Sequence, residues 1–159
     1  MPEVVCNTSP LQYLHQIGAL DVLPALYGRI LVPLAVVEEI ASGRQAGVNL
    51  PDLAALDWLE AREVAPSVWP MPRDIQRGEA EVIALAAPLP DAQLILDDLA
   101  ARRHAKLLGL RVTGTLGILL KAKQSNLLNQ LKPLVERLGE AGFRLADSTR
   151  DDFLKMAGE

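Results

Sequence analysis

The chain has 159 residues, of which 50% are hydrophobic and 23% charged, and its formal net charge is −4 at pH 7. That balance excludes a disordered chain and predicts a single domain over 1–159 with a sizeable core. It also argues against a non-specific nucleic-acid coat, which would be basic. No apolar run is long enough to span a membrane, no basic segment followed by an apolar run opens the chain, and the lone Cys6 excludes an internal disulfide framework; a cytoplasmic protein away from the membrane is the expectation.

The elements follow in chain order. Glu3 to Asn7 is short, apolar and β-branched, and predicts a buried strand. Thr8-Ser9-Pro10 is a helix start, and Leu11, Leu14 and Ile17 continue at helical spacing to Gly18. A second helix is expected from near Leu20 to Gly28, with Pro24 inside it. Arg29 to Val32 predicts a strand, and Pro33 opens a helix through Glu38 and Glu39 that Gly43 should end. Leu53 to Leu59 reads as helical and Glu60 to Val64 as an edge strand. Prolines make Pro66 to Arg73 an irregular connection. Arg77 to Ala87 predicts a helix with Val82, Ile83, Leu85 and Ala86 on its apolar side. Leu94 to Asp98 is a buried strand ending in acid, and Leu99 to Leu108 a helix closed by Gly109. Leu110 to Thr113 predicts a strand, and Gly114-Thr115 leads into a helix to Lys123. A further helix is expected over Gln130 to Glu140 and a short strand over Phe143 to Ala146. Asp147-Ser148 should cap a final helix.

Apolar strands alternating with helices predict an α/β fold of three layers, α/β/α, around a central, mainly parallel sheet. In such sheets sites form beyond the carboxyl ends of the strands. Asn7, the pair Asp97 and Asp98, and Thr113 end strands there. Glu39 and Glu79 sit on helices that can face the same edge. Scattered oxygen donors suit a hard cation such as Mg²⁺ or Mn²⁺. The sequence has no Cys/His spacing for zinc and no glycine-rich phosphate loop. Each acid also has a structural reading: Glu79 complements a helix dipole, Asp98 caps a helix, and one of Glu38 and Glu39 is a solvated surface charge. Arg102 and Lys106, four apart on one helix, share a face that suits phosphate contacts or plain solvation. Lys121 and Lys123 read as ordinary helix-end cations. Aromatic residues make up 4% of the chain, too few for a base-stacking platform. His15 and His104 are isolated, and Cys6 reads as a small buried hydrophobe. Trp58 and Trp69 flank the irregular region and read as packing anchors.

Five segments in order carry a family resemblance: Val4 to Leu11 (VVCNTSPL), Val32 to Ile40 (VPLAVVEEI), Gly78 to Ala86 (GEAEVIALA), Leu94 to Leu110 (LILDDLAARRHAKLLGL) and Val112 to Lys123 (VTGTLGILLKAK). Together they resemble PIN-domain proteins, and more narrowly a prokaryotic subgroup of toxin-type PIN nucleases. The resemblance implies acids at the carboxyl edge of a parallel sheet, holding Mg²⁺ or Mn²⁺ for hydrolysis of RNA. Carried over position by position, the family's four acids fall on Asn7, Glu39, Glu79 and Asp98 or its neighbour Asp97. Ser9 or Thr8 matches the family's hydroxyl near the metal. Catalytic roles are thereby expected for Glu39, Glu79, Asp97 and Asp98, and substrate contacts for Ser9, Arg102, Lys106 and Thr115.

The first position departs from the pattern, with Asn7 where the family has Asp. An amide oxygen can ligate a hard cation but brings no charge and cannot serve as a base. Two functions therefore stand: a metal-dependent endoribonuclease, the toxin of a toxin–antitoxin pair, or a non-catalytic PIN-like interaction module with a decayed site. The implied partners are an RNA substrate and a small antitoxin protein. The resemblance also implies a homodimer, for which the apolar helices of Leu11 to Leu26 are candidates alongside their use in the core.

Overall fold

The structure, a computed structural model, describes residues 2–65 and 71–159. Strands β1 (Val4–Cys6), β2 (Ile30–Pro33), β3 (Leu59–Arg62), β4 (Gln93–Ile95) and β5 (Arg111–Thr113) form one sheet in the order β3-β2-β1-β4-β5. Every pairing is parallel. All three residues of β1 and all four of β2 are buried. Side chains alternate between the faces of a strand, so unbroken burial means that both faces are covered. That is why these strands read in sequence as continuous apolar runs.

The helices supply the covers. Helix α4 (Arg77–Ala86) packs across β1, β2 and β4 and touches α3 (Leu34–Gln45) and α5 (Leu99–Leu107). Helices α1 (Thr8–Gln16) and α2 (Val22–Tyr27) pack against α6 (Thr115–Gln124), and α7 (Lys132–Glu140) and α8 (Asp147–Met156) complete the chain. Leu11, Leu14 and Leu23 are wholly buried, as are Leu94, Ile95 and Leu96. Each such side chain contributes about 2 kcal/mol relative to exposure. Core packing therefore accounts for the apolar pattern of α1 and α2. Cys6 is also fully buried, as its strand predicted; burial first, and then the charge of Asp97, raise its thiol well above the usual range.

Several expected elements differ. Helix α3 runs through Gly43 to Gln45. Gly43 is a packing position instead of a terminator: a methyl group there would collide with the Leu50 side chain. The turn to positive φ comes at Gly47. Of the expected helix over Leu53 to Leu59, only a 3₁₀ turn over Leu53–Ala55 forms, stabilised by Asp52 accepting from the Ala54 N–H, and Leu59 already opens β3. Strand β4 stops at Ile95, before the acids. Phe143 to Ala146 is irregular and joins no sheet, so it is no strand among the described residues. Ala146 is the cap residue of α8, and Asp147 lies inside its first turn, where its charge still suits the helix dipole. Of the expected irregular connection, Pro66 to Pro70, with Trp69, lies outside the described residues. Trp58 packs against the core, as expected of an anchor.

The strand order sets the position of the site. Strand β1 leads leftward to β2, while β4 lies on its other side and leads to β5. The crevice beyond the carboxyl ends of β1 and β4 is the switch point of an open α/β sheet, where ligands characteristically bind. Asn7 follows β1 directly, and its N–H donates to Ile95 O at 3.1 Å, continuing the β1–β4 ladder. Asp97 and Asp98 follow β4. The fold thus delivers an amide and two carboxyls to one edge.

Candidate metal centre

Asn7 is 4% exposed, and its Oδ1 is buried with no hydrogen-bond partner, a state shared among the described residues only with His104 Nε2. A buried polar oxygen left unpaired costs on the order of 1–3 kcal/mol, which usually signals a ligand or a water. Gly78, buried in the first turn of α4, shows what lies beside it. A methyl group at Gly78 would sit 2.5 Å from Glu39 Oε1 and 3.3 Å from Asn7 Oδ1. Glycine lets the helix approach these two oxygens, which converge from different elements. Glu39 is fixed from its other oxygen, where Thr8 Oγ1 donates at 2.7 Å to Oε2. The alternatives Thr8 and Ser9 are thereby separated: Thr8 reaches the carboxylate, while Ser9 makes no side-chain hydrogen bond among the described residues.

Glu38 and Glu39 also separate. Glu38 pairs with Arg77 at 2.9 Å, and Arg77 pairs with Glu81 at 3.0 Å. Glu81 in turn accepts from the Ala35 N–H at the start of α3. Those two acids therefore join α3 to α4, and Glu39 is the one that faces Asn7.

Glu79 lies one residue beyond Gly78. Burial raises its carboxyl above the ordinary carboxylate range. The N–H groups of Glu79 and Gln76 partly hold it down, while the charges of Asp98 and Glu39 push it up again. Glu79 thus feels the acids of two other elements. Asp98 also serves the structural role read from sequence, with Oδ2 accepting from the Ala101 N–H at 2.9 Å as the cap of α5. Its other oxygen is not engaged in that bond.

Asp97 turns elsewhere. Its two oxygens accept from the Thr115 N–H at 2.8 Å and from Thr115 Oγ1 at 2.6 Å. A methyl group at Gly114 would meet Asp97 Oδ1 at 2.8 Å and an Arg102 guanidinium nitrogen at 3.0 Å. Burial raises the Asp97 carboxyl, opposed by both Thr115 bonds and by the Arg102 charge. Thr115, an expected substrate contact, is wholly buried beneath this carboxylate. Asp97 and Thr115 therefore form a tie from the end of β4 to the start of α6. Lys106 is exposed on α5. Lys121 lies 4.5 Å over the Tyr27 ring and Lys123 pairs with Glu159 at 2.8 Å, so both have local structural roles.

Asn7, Glu39, Glu79 and Asp98 are all hard oxygen donors, the chemistry that suits Mg²⁺ or Mn²⁺. Among the described residues no three His, Cys, Asp or Glu side chains close into a metal-holding cluster. Asn7 and Glu39 converge at Gly78, and Glu79 feels the charges of Asp98 and Glu39. The unsatisfied Asn7 Oδ1 beside Glu39 is what fits a cation there. Gly78 is the position that reading the sequence for acids missed. Gly78 was present in the GEAEV run, but its value lies in having no side chain.

A doubly wound parallel sheet, with Asn7, Asp97 and Asp98 following β1 and β4 at its switch point, defines an open-sheet α/β protein. The chain belongs to the PIN-domain family: it matches the family DUF3368, described as PIN domain, over residues 3–159. Among solved structures it is similar to a PilT N-terminus domain protein from the hyperthermophilic archaeon Sulfolobus solfataricus P2, with TM-score 0.56 and 21% identity over 75% of this chain and 92% of that one. That likeness supports the fold. A search of curated proteins found no match. PIN domains are typically nucleases and generally use divalent metals. No helix among the described residues is long and apolar enough to cross a membrane.

Proposed function

We propose that this protein is a metal-dependent endoribonuclease that hydrolyses RNA phosphodiesters, acting as the toxin of a toxin–antitoxin pair. The observation that carries the reading is the buried, unsatisfied Asn7 Oδ1 at the switch point, facing Glu39 in a PIN fold. Asn7, Glu39, Glu79 and Asp98 would hold the ion. A divalent ion in such a place supplies hydroxide at neutral pH and neutralises charge on the attacked phosphate. Thr8 keeps the Glu39 carboxylate aimed inward. Asn7 contributes a neutral oxygen and takes no proton. Glu79, its carboxyl raised by burial, is suited to exchanging a proton at its oxygen in that crevice. Asp98 is positioned by its bond to α5. RNA as the substrate rests on the five-segment resemblance to toxin-type PIN nucleases.

The test is cleavage of a mixed RNA set in Mn²⁺, with an EDTA control and a Glu39→Gln, Asp98→Asn double variant. Cleavage lost in both controls supports the reading; no cleavage by clean wild-type protein, with no Mn²⁺ binding by calorimetry, sinks it. Asn7→Asp adds a ligand charge and should tighten Mn²⁺ binding. An unchanged or weaker titration would remove Asn7 from the site.

A second reading has its own support. The neutral Asn7, and carboxylates that do not close into a trio, fit an interaction module with a decayed site. A net charge of −4 suits a basic antitoxin segment lying over the acidic crevice. Co-purification with a small basic protein supports that partner, and a monodisperse protein without it counts against it.

A further inference from the structure

A second concavity adjoins the acidic crevice. It has a volume of about 580 Å³, within the range of small-ligand sites, and both Asp97 and Leu99, the neighbours of Asp98, line it. Its lining is mixed, with Val112, Leu116, Phe143 and Leu145 as the larger apolar side chains. The Phe143 ring is held edge-on against Tyr13, with centroids 5.1 Å apart, so this wall is fixed. Phe143 to Ala146 line it together with Val112 and Thr113 of β5 but are not part of the sheet.

The charged groups of this lining are two guanidiniums and one carboxylate. Arg102 and Arg144 both line it; Arg102 lies near Asp97, whose carboxyl feels its charge, and Arg144 is exposed and forms no ion pair among the described residues. The one carboxylate in the lining, Asp97, is occupied by both bonds from Thr115. A lining with one more guanidinium than carboxylate, beside the side chains of Leu116 and Phe143, matches a phosphate joined to a flat ring.

We propose that this cavity is a nucleotide subsite, receiving the residue of a single-stranded RNA that flanks the phosphate at Asp98. Arg102 and Arg144 hold its phosphate, and the base lies between Leu116 and Phe143. The assignment rests on the nuclease reading for the identity of the strand, but the binding itself needs no metal. It gives the protein base contact without a row of exposed aromatic residues.

The test is titration with 5′-AMP and 5′-UMP in EDTA, followed by protein NMR. Wild-type protein should bind at millimolar nucleotide, with shifts at Leu116, Phe143 and Thr149. Arg144→Gln should weaken binding roughly tenfold, the scale of one charge-assisted contact. Thr149→Trp, an exposed position that fills the slot without disturbing the core, should remove it. Glu39→Gln and Arg103→Gln should bind as wild type. Wild-type protein that takes no nucleotide, or variants that all bind alike, would overturn the subsite. So would a Thr149→Trp variant that instead loses a co-purifying basic protein, which would assign the slot to a protein partner. RNA cleavage retained without mononucleotide binding sinks the subsite alone; binding retained without cleavage sinks the catalytic reading alone.

Discussion

The Thr8 hydroxyl donates a 2.7 Å hydrogen bond to Glu39 Oε2, joining residues 31 apart in the chain. It ties the first turn of α1 to the middle of α3 and leaves Glu39 Oε1 beside Asn7. A bond to a charged group contributes about 1.5–3 kcal/mol when sheltered, and less at a solvated carboxylate such as this. Thr8→Val keeps the shape and removes the donor. We predict that it weakens Mn²⁺ binding about fivefold, corresponding to roughly 1 kcal/mol, and leaves the melting temperature nearly unchanged. Calorimetry on the variant checks this; binding equal to wild type would show that Glu39 needs no such anchor.

Gly78 offers a cleaner separation of site from stability. In most helix positions Gly→Ala stabilises by up to about 1 kcal/mol. Here the added methyl would sit 2.5 Å from Glu39 Oε1, the end of a flexible side chain on a solvent-facing residue. Glu39 can move aside by giving up its exposed bond from Thr8, and it then no longer faces Asn7. Gly78→Ala is predicted to keep or raise the melting temperature while lowering Mn²⁺ affinity. A variant that melts higher and binds Mn²⁺ as well as wild type would place the ion elsewhere.

The acid pair should divide its effects between stability and binding. Asp97 satisfies two donors of the buried Thr115. Replacing it with Asn leaves one of them poorly matched, at about 1–3 kcal/mol. Asp98→Asn keeps a good helix cap and should cost under about 0.5 kcal/mol. Chemical denaturation should therefore rank Asp97→Asn as much the less stable, while Mn²⁺ titration should rank Asp98→Asn as the weaker binder. The reverse order would exchange their roles.

That division shows where reading the sequence stops. The strands were legible because a parallel sheet covered on both faces demands unbroken apolar runs, as in Val4-Val5-Cys6. The site edge was legible because chemistry gathers where such strands end. The direction of Asp97 was not, since alternation along a strand applies only while the strand lasts, and β4 ends at Ile95. Beyond it, the N–H and hydroxyl of Thr115, 18 residues on, decide the matter. Phe143 to Ala146 reads as a short strand, but a strand also needs a partner, and no local pattern encodes whether one lies within reach. Gly43 looked like a helix end because glycine often is one, yet its value here is contact with Leu50, which lies outside its own helix.

Glu159 carries the clearest pH dependence. Its carboxylate accepts from the N–H groups of Leu131 at 2.7 Å and Lys132 at 3.0 Å, and pairs with Lys123 Nζ at 2.8 Å. It thereby caps the start of α7 and joins it to the end of α6. Burial alone would raise its pKa, but Lys123 and the two N–H groups outweigh that and bring it from 4.5 down to about 2. A carboxyl with a lowered pKa in the folded state stabilises fully above its unfolded value, and loses that contribution as pH falls toward the folded value. Solvent screening reduces the gain to about 1–2 kcal/mol. Glu159→Gln should therefore melt lower than wild type at pH 7, with the difference constant down to about pH 4.5 and shrinking to nothing near pH 2. Melting curves of both proteins across that range check it; a difference that persists at the acid end would mean that the shape of the side chain, not its charge, holds α7 in place.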